Sequence, residues 1–301
     1  MSAPHPPSLD RVRLGVSIAA ALDGRGRELD GREVNRTVER LCRQVLAAGA
    51  GLVFGHDWRP DGVMEQVLAV ARTYQRTGDT EPRLINLVPW PEEPVLPAEE
   101  RRFLADLLRV ERIGLPAALA DKETEIRGQP NGEAYLRARA LTELRRALTV
   151  RCTARVCLGG KTAGRFQGRL PGIAEEALLA LENGQPLYLS ALYGGAAQDV
   201  IDALTPGMPD GSAAWQPAAP IRDGYRVLGP RYEPGEPDAA IDPADVWQRL
   251  AAIGVDGVAR GNALTPAENE RLFRAHSVSE VVDWTMLGLS RLAAGPPRAV
   301  P

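Results

Sequence analysis

The sequence predicts an α/β protein: a parallel β-sheet flanked by helices, followed by a helical C-terminal extension. Three observations carry this. Short apolar runs of strand length alternate with segments whose apolar residues recur at helical spacing. The strand runs show no alternation of polar residues, the pattern of strands covered on both faces. Strand and helix follow one another in order, which is the signature of a layered α/β fold.

Residues 11–18 (RVRLGVSI) form the first β-branched run, and a polar Gly/Arg loop occupies 23–32. Val34, Val38, Leu41, Val45 and Leu46 then recur on one helical face, predicting a helix over 33–48 that Gly49 and Gly51 end. GLVFG at 51–55 is the second strand. After a Trp-Arg-Pro-Asp-Gly turn comes a helix over 63–76, and 84–88 reads as the third strand. Residues 89–132 carry Pro-rich turns and a predicted helix over 97–110. A helix over 135–148 leads into ARVCLG at 154–159, the fourth strand, and then into the loop KTAGRFQGRLPG. A helix over 173–182, a fifth strand at 186–191 (PLYLSA) and a helix over 196–204 opened by Gly194-Gly195 complete the alternation.

Prolines and glycines dominate 205–243, which reads as a connector. Helices resume over 244–253 and at Thr265-Pro266-Ala267-Glu268, which supplies an N-cap, a proline at the first helical position and the glutamate of a capping box. A last helix covers 283–292. The expected organisation is a domain over 11–205, an irregular connector over 206–243 and a helical extension over 244–293 packed on the same domain.

The 301 residues include 36 basic and 39 acidic side chains, a net charge of −3, with 44% hydrophobic and 25% charged residues. This is the profile of an ordinary globular protein, and no basic field invites nucleic acid. Cys42, Cys152 and Cys157, with His5, His56 and His276, show no metal-ligand spacing. We expect no metal and no cofactor, and read the cysteines as small buried hydrophobes. The start, MSAPHPPSLD, lacks a basic patch followed by an apolar run, and no stretch of about 18 apolar residues occurs. The expectation is a cytoplasmic chain with reduced thiols and no membrane partner. No GxSxG elbow and no GxxxxGK[ST] loop is present, which argues against a serine hydrolase and a P-loop NTPase.

In an open parallel sheet, ligands collect at the carboxyl ends of the strands, where helix N-termini face outward. The notable residues fall there: Ser17 after the first strand, Gly55, His56, Trp58 and Arg59 after the second, Gly160 and Lys161 after the fourth, Gly194 after the fifth. The loop after the fourth strand sets Lys161, Arg165 and Arg169 among Gly164, Gly168 and Gly172. Cationic side chains beside free backbone amides make an anion site; in an arginine-rich chain they also make a solvated loop. Glu175 and Glu176 open the next helix. Carboxylates there bind ribose hydroxyls, act in acid/base chemistry or complement the helix dipole.

Several of these segments resemble the SLOG superfamily, the Rossmann-like group that joins the SMF/DprA proteins with the LOG phosphoribohydrolases. Leu52-Val53-Phe54-Gly55-His56 and Gly62-Val63-Met64-Glu65 resemble the family's second-strand turn and helix start. Leu141-Thr142-Glu143-Leu144-Arg145-Arg146 is similar to its Met-x-x-Arg-Lys helix. Its Pro-Gly-Gly-x-Gly-Thr-x-x-Glu signature looks split, with Leu158-Gly159-Gly160 as the first half and Gly172-Ile173-Ala174-Glu175-Glu176 as the second. Residues 161–171 are an insertion, and Ile173 stands where the family uses a phosphate-gripping threonine. The resemblance implies Arg145 and Glu176 as the catalytic pair if the protein is a hydrolase.

The wording LGGK, GRLPGI, EEALLAL and PLYLSALYGGAA is closer to the SLOG modules found beside TIR and other effector domains in bacterial antiviral systems. That resemblance implies a sensor of a nucleotide-derived signal, such as ADP-ribose or a cyclic ADP-ribose isomer, coupled to a homo-oligomer, a TIR-domain protein or a separate effector. Lys161, Arg165 and Arg169 would then hold phosphates, Glu175 or Glu176 ribose hydroxyls, and Gly55, Gly160 and Gly194 would permit close approach. An N-glycosidic hydrolase and a scaffold with a vestigial pocket are the other expectations.

Overall fold

The computed structural model describes residues 8–19, 31–55, 63–74, 81–93 and 96–295. The apolar runs become strands β1 (Arg13–Ala19), β2 (Gly51–Gly55) and β3 (Leu84–Pro89), separated by helices α1 (Gly31–Ala47) and α2 (Val63–Tyr74). Helix α3 (Ala98–Phe103), strand β4 (Leu108–Ile113) and the short helices α4 (Ala117–Ala120) and α5 (Glu123–Arg127) lead to the long helix α6 (Gly132–Arg151). Then follow β5 (Ala154–Gly159), α7 (Gly172–Glu182), β6 (Leu187–Ser190) and α8 (Gly195–Leu204). The rest is helical: α9 (Ala219–Tyr232), α10 (Pro243–Asn262), α11 (Pro266–Phe273) and α12 (Val278–Ala294).

The six strands form one parallel sheet in the order β4-β3-β2-β1-β5-β6. This is the Rossmann-like α/β architecture the sequence predicts. The strand order reverses between β1 and β5, so their connections leave in opposite directions and open a crevice at the carboxyl ends of Ala19 and Gly159, which are register partners. On one face, α1, α2 and α12 bury Leu14, Val16, Leu41, Leu52 and Leu289. On the other, α6 lies over Val53, Ile85 and Leu87, and α7, α8 and α10 pack around Cys157, Leu187 and Leu189.

Two local expectations are corrected. The helix expected over 97–110 stops at Phe103, and Leu108–Ile113 is a strand paired with β3 from Leu84↔Leu108 to Pro89↔Ile113. Leu107, Leu108 and Val110 suit either period in so short a run, and pairing with β3 decides it. The stretch read as irregular, 206–243, contains the fourteen-residue helix α9 and a 3-10 turn at Ser212–Trp215. Trp215 is fully buried there, tilted against Trp247 at 5.2 Å, with its Nε1 donating to Asp199 at 3.0 Å. Ile221, Tyr225 and Leu228 of α9 join Tyr135 and Leu136 of α6 in a core of their own. Prolines and glycines at the ends of α9 mask its apolar face in the sequence.

The capping box at Thr265 forms as the spacing requires: Glu268 N donates to Thr265 Oγ1 at 3.2 Å, and Thr265 N to Glu268 at 2.8 Å. Trp284, Met286 and Leu287 of α12 pack against the core beneath α1. Among the described residues, no helix is long and apolar enough to cross a membrane.

Candidate functional site

A cleft of about 500 Å³ opens at the switch point. Its floor is the end of β1 (Ser17, Ile18, Ala19) with Arg155 of β5; one wall is Phe54 and Gly55 of β2 with Leu141, Leu144 and Leu148 of α6. The opposite side is Gly160, Lys161, Arg165, Phe166 and Gln167, then Gly172, Ile173 and Glu176 at the start of α7. An apolar wall facing a few convergent polar groups, in a volume of this size, is the usual build of a small-molecule site.

Backbone geometry shapes the cationic side. Gly159 and Gly160 take φ of +66° and +105°, and a Cβ on Gly160 would meet Ile173 at 3.0 Å and Ala196 at 3.1 Å. Glycine lets the chain turn sharply off β5 here. Helix α7 begins with no side-chain cap at Pro171, so its first amides and positive dipole end lie beside Gly172 and Ile173 at the cleft. Lys161 and Arg165 are exposed on the same side.

The two adjacent glutamates of α7 part company. Glu175 is 1% exposed and faces away from the opening. Its Oε1 accepts from Arg169 Nε at 2.7 Å and Thr142 Oγ1 at 3.0 Å, and its Oε2 accepts from Arg145 Nη1. Burial pushes its carboxyl upward, but Arg145 and Arg169 outweigh this and hold it at about 2. Arg169 continues the chain of charges to Asp238 at 2.7 Å. Arg145 is wedged against glycines: a Cβ on Gly168 would lie 2.5 Å from its Nη1, and one on Gly172 3.0 Å from its Nη2.

Glu176 instead lines the cleft. Its Oε2 accepts from Arg155 Nη1 at 2.7 Å and from Ser17 Oγ. Arg155 Nη1 also donates to Ser17 Oγ at 2.7 Å. Arg155 is 1% exposed; burial opposes its charge, yet Glu176 and its other neighbours raise the guanidinium above its ordinary value. Its neighbours Cys152 and Cys157 are free, buried thiols pushed up to about 11 and about 12 by desolvation.

The cleft thus gathers Ser17, Gly55, Arg145, Gly160, Lys161, Arg165, Gly172 and Glu176 of the expected site residues. Arg169 and Glu175 lie beneath it, bound to each other. Gly194 is buried at the start of α8 with φ of 63°, and Ala196 N of that helix donates to Gly160 O on the cleft at 3.2 Å. His56, Trp58 and Arg59 lie outside the described residues. The loop 161–171 is anchored: Ala163 N donates to Ala214 O at 2.7 Å, and Phe166 and Leu170 are buried.

Sequence reasoning missed Arg155, Phe166, Gln167 and the α6 leucines. Arg155 had a signal. An arginine inside the otherwise apolar run ARVCLG sits in a strand buried on both faces, and a buried charge requires a partner. Gly15 is its register partner on β1. A Cβ there would meet Cys152 Sγ at 2.5 Å and Arg155 Cζ at 3.4 Å, so glycine leaves the guanidinium room to lie along β1 toward Ser17.

No curated protein matches the chain. A family model described as SLOG cluster2 matches residues 8–272, a span that takes in the whole sheet, the cleft and the helices through most of α11. With most of its length in that match, the chain belongs to the SLOG family, cluster 2, a membership that points to nucleotide-related binding or processing.

Proposed function

We propose that the protein is a sensor of a nucleotide-derived signal, with an ADP-ribose-like ligand or a cyclic ADP-ribose isomer lying across the strand ends. One observation carries this reading. The same cleft holds an anion-binding side (Lys161, Arg165 and the uncapped start of α7) and a carboxylate, Glu176, on the wall that meets the floor. Phosphates suit the first and ribose hydroxyls the second. The apolar wall of Phe54, Leu141, Leu144 and Leu148 suits a base. Binding would be coupled to assembly of copies of the chain, or to a TIR-domain protein or another separate effector, in bacterial antiviral defence.

A LOG-type N-glycosidic hydrolase is the second reading, favoured by the presence of both Arg145 and Glu176 on the cleft. Arg145, however, is committed to Glu175, and Glu176 Oε2 is occupied by Arg155 and Ser17. Both groups are already paired within the protein, an arrangement that suits binding better than turnover.

The test is a thermal-shift panel of AMP, ADP-ribose, NAD and cyclic ADP-ribose isomers, with chromatography of the same mixtures for released base. A rise in melting temperature with intact ligand supports the sensor. Base release abolished in Glu176→Gln transfers the site to the hydrolase. No shift and no release with any of them overturns both.

A further inference from the structure

Arg155 is an unusual residue for its place. It is the second residue of β5, beside Gly15 of β1, and is 1% exposed. A buried guanidinium has no value for packing that an apolar side chain would not supply, and replacing such pairs by apolar residues is often neutral or stabilising. What distinguishes Arg155 is where its charge ends up. Nη1 donates at 2.7 Å to both Ser17 Oγ and Glu176 Oε2, and Ser17 Oγ donates to that same oxygen. Both tethers converge on Oε2. Among the described residues, Oε1 has no partner, and Glu176 lines the cleft.

We propose that Arg155 is a positioning residue, with Ser17 as its second contact: by gripping Glu176 through Oε2 alone, it fixes the carboxylate so that Oε1 accepts a hydroxyl from the sugar of the bound nucleotide. An ionised carboxylate is an acceptor only. It therefore rewards a ligand that presents a hydroxyl at this point and leaves a deoxy sugar with nothing to donate. The chemical class selected is a ribonucleotide over its deoxy counterpart. This rests on the cleft being a nucleotide site. The tether itself does not, and the experiment separates the two.

The full-length chain is titrated calorimetrically with AMP, 2′-deoxy-AMP and 3′-deoxy-AMP, and the titrations are repeated with Arg155→Met and Ser17→Ala. Methionine fills a similar volume without charge, and Ser17→Ala leaves the buried arginine in place should the first variant fold poorly. The wild-type chain is expected to bind AMP at least about tenfold more tightly than one of the deoxy forms, the worth of one charge-assisted hydrogen bond. Both variants are expected to shrink that ratio, Arg155→Met to below about threefold and Ser17→Ala partway. A merely structural role would lower the melting temperature and leave the ratio alone.

Alongside, melting temperatures of Arg155→Met, Glu176→Ala, which removes the carboxylate that the tether holds, and the double variant form a cycle that needs no ligand. Positioning predicts that the double variant loses less than the sum of the two single losses. Equal affinity for all three nucleotides, an unchanged ratio in both variants, or additive losses in the cycle each overturn the proposal. Coupling in the cycle with no binding of AMP in the wild type overturns the nucleotide reading and the sugar selection, and leaves only the tether.

Discussion

Glu175 and Glu176 are neighbours in sequence, identical in chemistry and set on one helix, yet they live in different surroundings. A helix turns about 100° per residue, and that angle carries Glu175 under the cleft and Glu176 onto its wall. Both oxygens of Glu175 are engaged, one by Arg145 and the other by Arg169 and Thr142. Among the described residues, Glu176 is held through one oxygen. The lesson is that a carboxylate saturated on both sides acts as a strut, binding α6, α7 and the loop before α7 together, whereas one tethered on a single side is oriented and still has an acceptor to offer.

The comparison breaks most visibly at Glu175. In Glu175→Gln one oxygen becomes an amide that must face an arginine, and the buried guanidinium of Arg145 loses its partner. The expected loss is about 3–5 kcal/mol, a fall in melting temperature on the order of 10 °C, read by thermal or urea denaturation. Next in size is the acid dependence of the wild type. Because Glu175 sits at about 2 when folded, against 4.5 ordinarily, its contribution is fully present above pH 4.5 and is lost as the pH falls through 2. The expected loss across that window is about 3 kcal/mol. Glu175→Gln should show a correspondingly flatter stability profile over the same range.

Glu176→Gln sharpens the contrast. The amide oxygen still accepts from Arg155 and Ser17, and its NH2 takes the place of Oε1. The expected stability loss is therefore smaller, about 1–2 kcal/mol, while nucleotide binding in the thermal-shift panel is lost. The smallest effect on the fold is at Lys161, exposed at the rim. Lys161→Ala is expected to stay within about 0.5 kcal/mol of wild type and to weaken binding of a phosphorylated ligand by about tenfold, measured by titration. A Lys161→Ala variant that unfolded, or a Glu175→Gln variant as stable as the wild type, would invert the assignment of strut and site.

Much of the fold was legible because its signals are local. The apolar runs of β1, β2, β3, β5 and β6, the face formed by Val38, Leu41 and Val45, and the Thr265–Glu268 capping box each lie within a few residues of chain. Strand β4 and helix α9 were not legible. Leu108–Ile113 reads as either period until β3 pairs with it, and α9 shows its apolar face only where α6 covers it. The site was half legible. Chain order marks Gly160, Lys161 and Arg165 as a cationic turn after a strand, but says nothing of where Arg169 turns or which of two adjacent glutamates meets the opening.

By itself, then, the sequence determined a parallel α/β sheet with its glycine turns and cationic loop at the strand ends, since periodicity, caps and turns are properties of short windows. Only the tertiary structure decided which charges are buried and with whom. Arg155 reaches Ser17 across 138 positions, and Ser17 reaches Glu176 across 159. Partners that far apart meet only once β1 and β5 lie side by side and α7 has folded down over them.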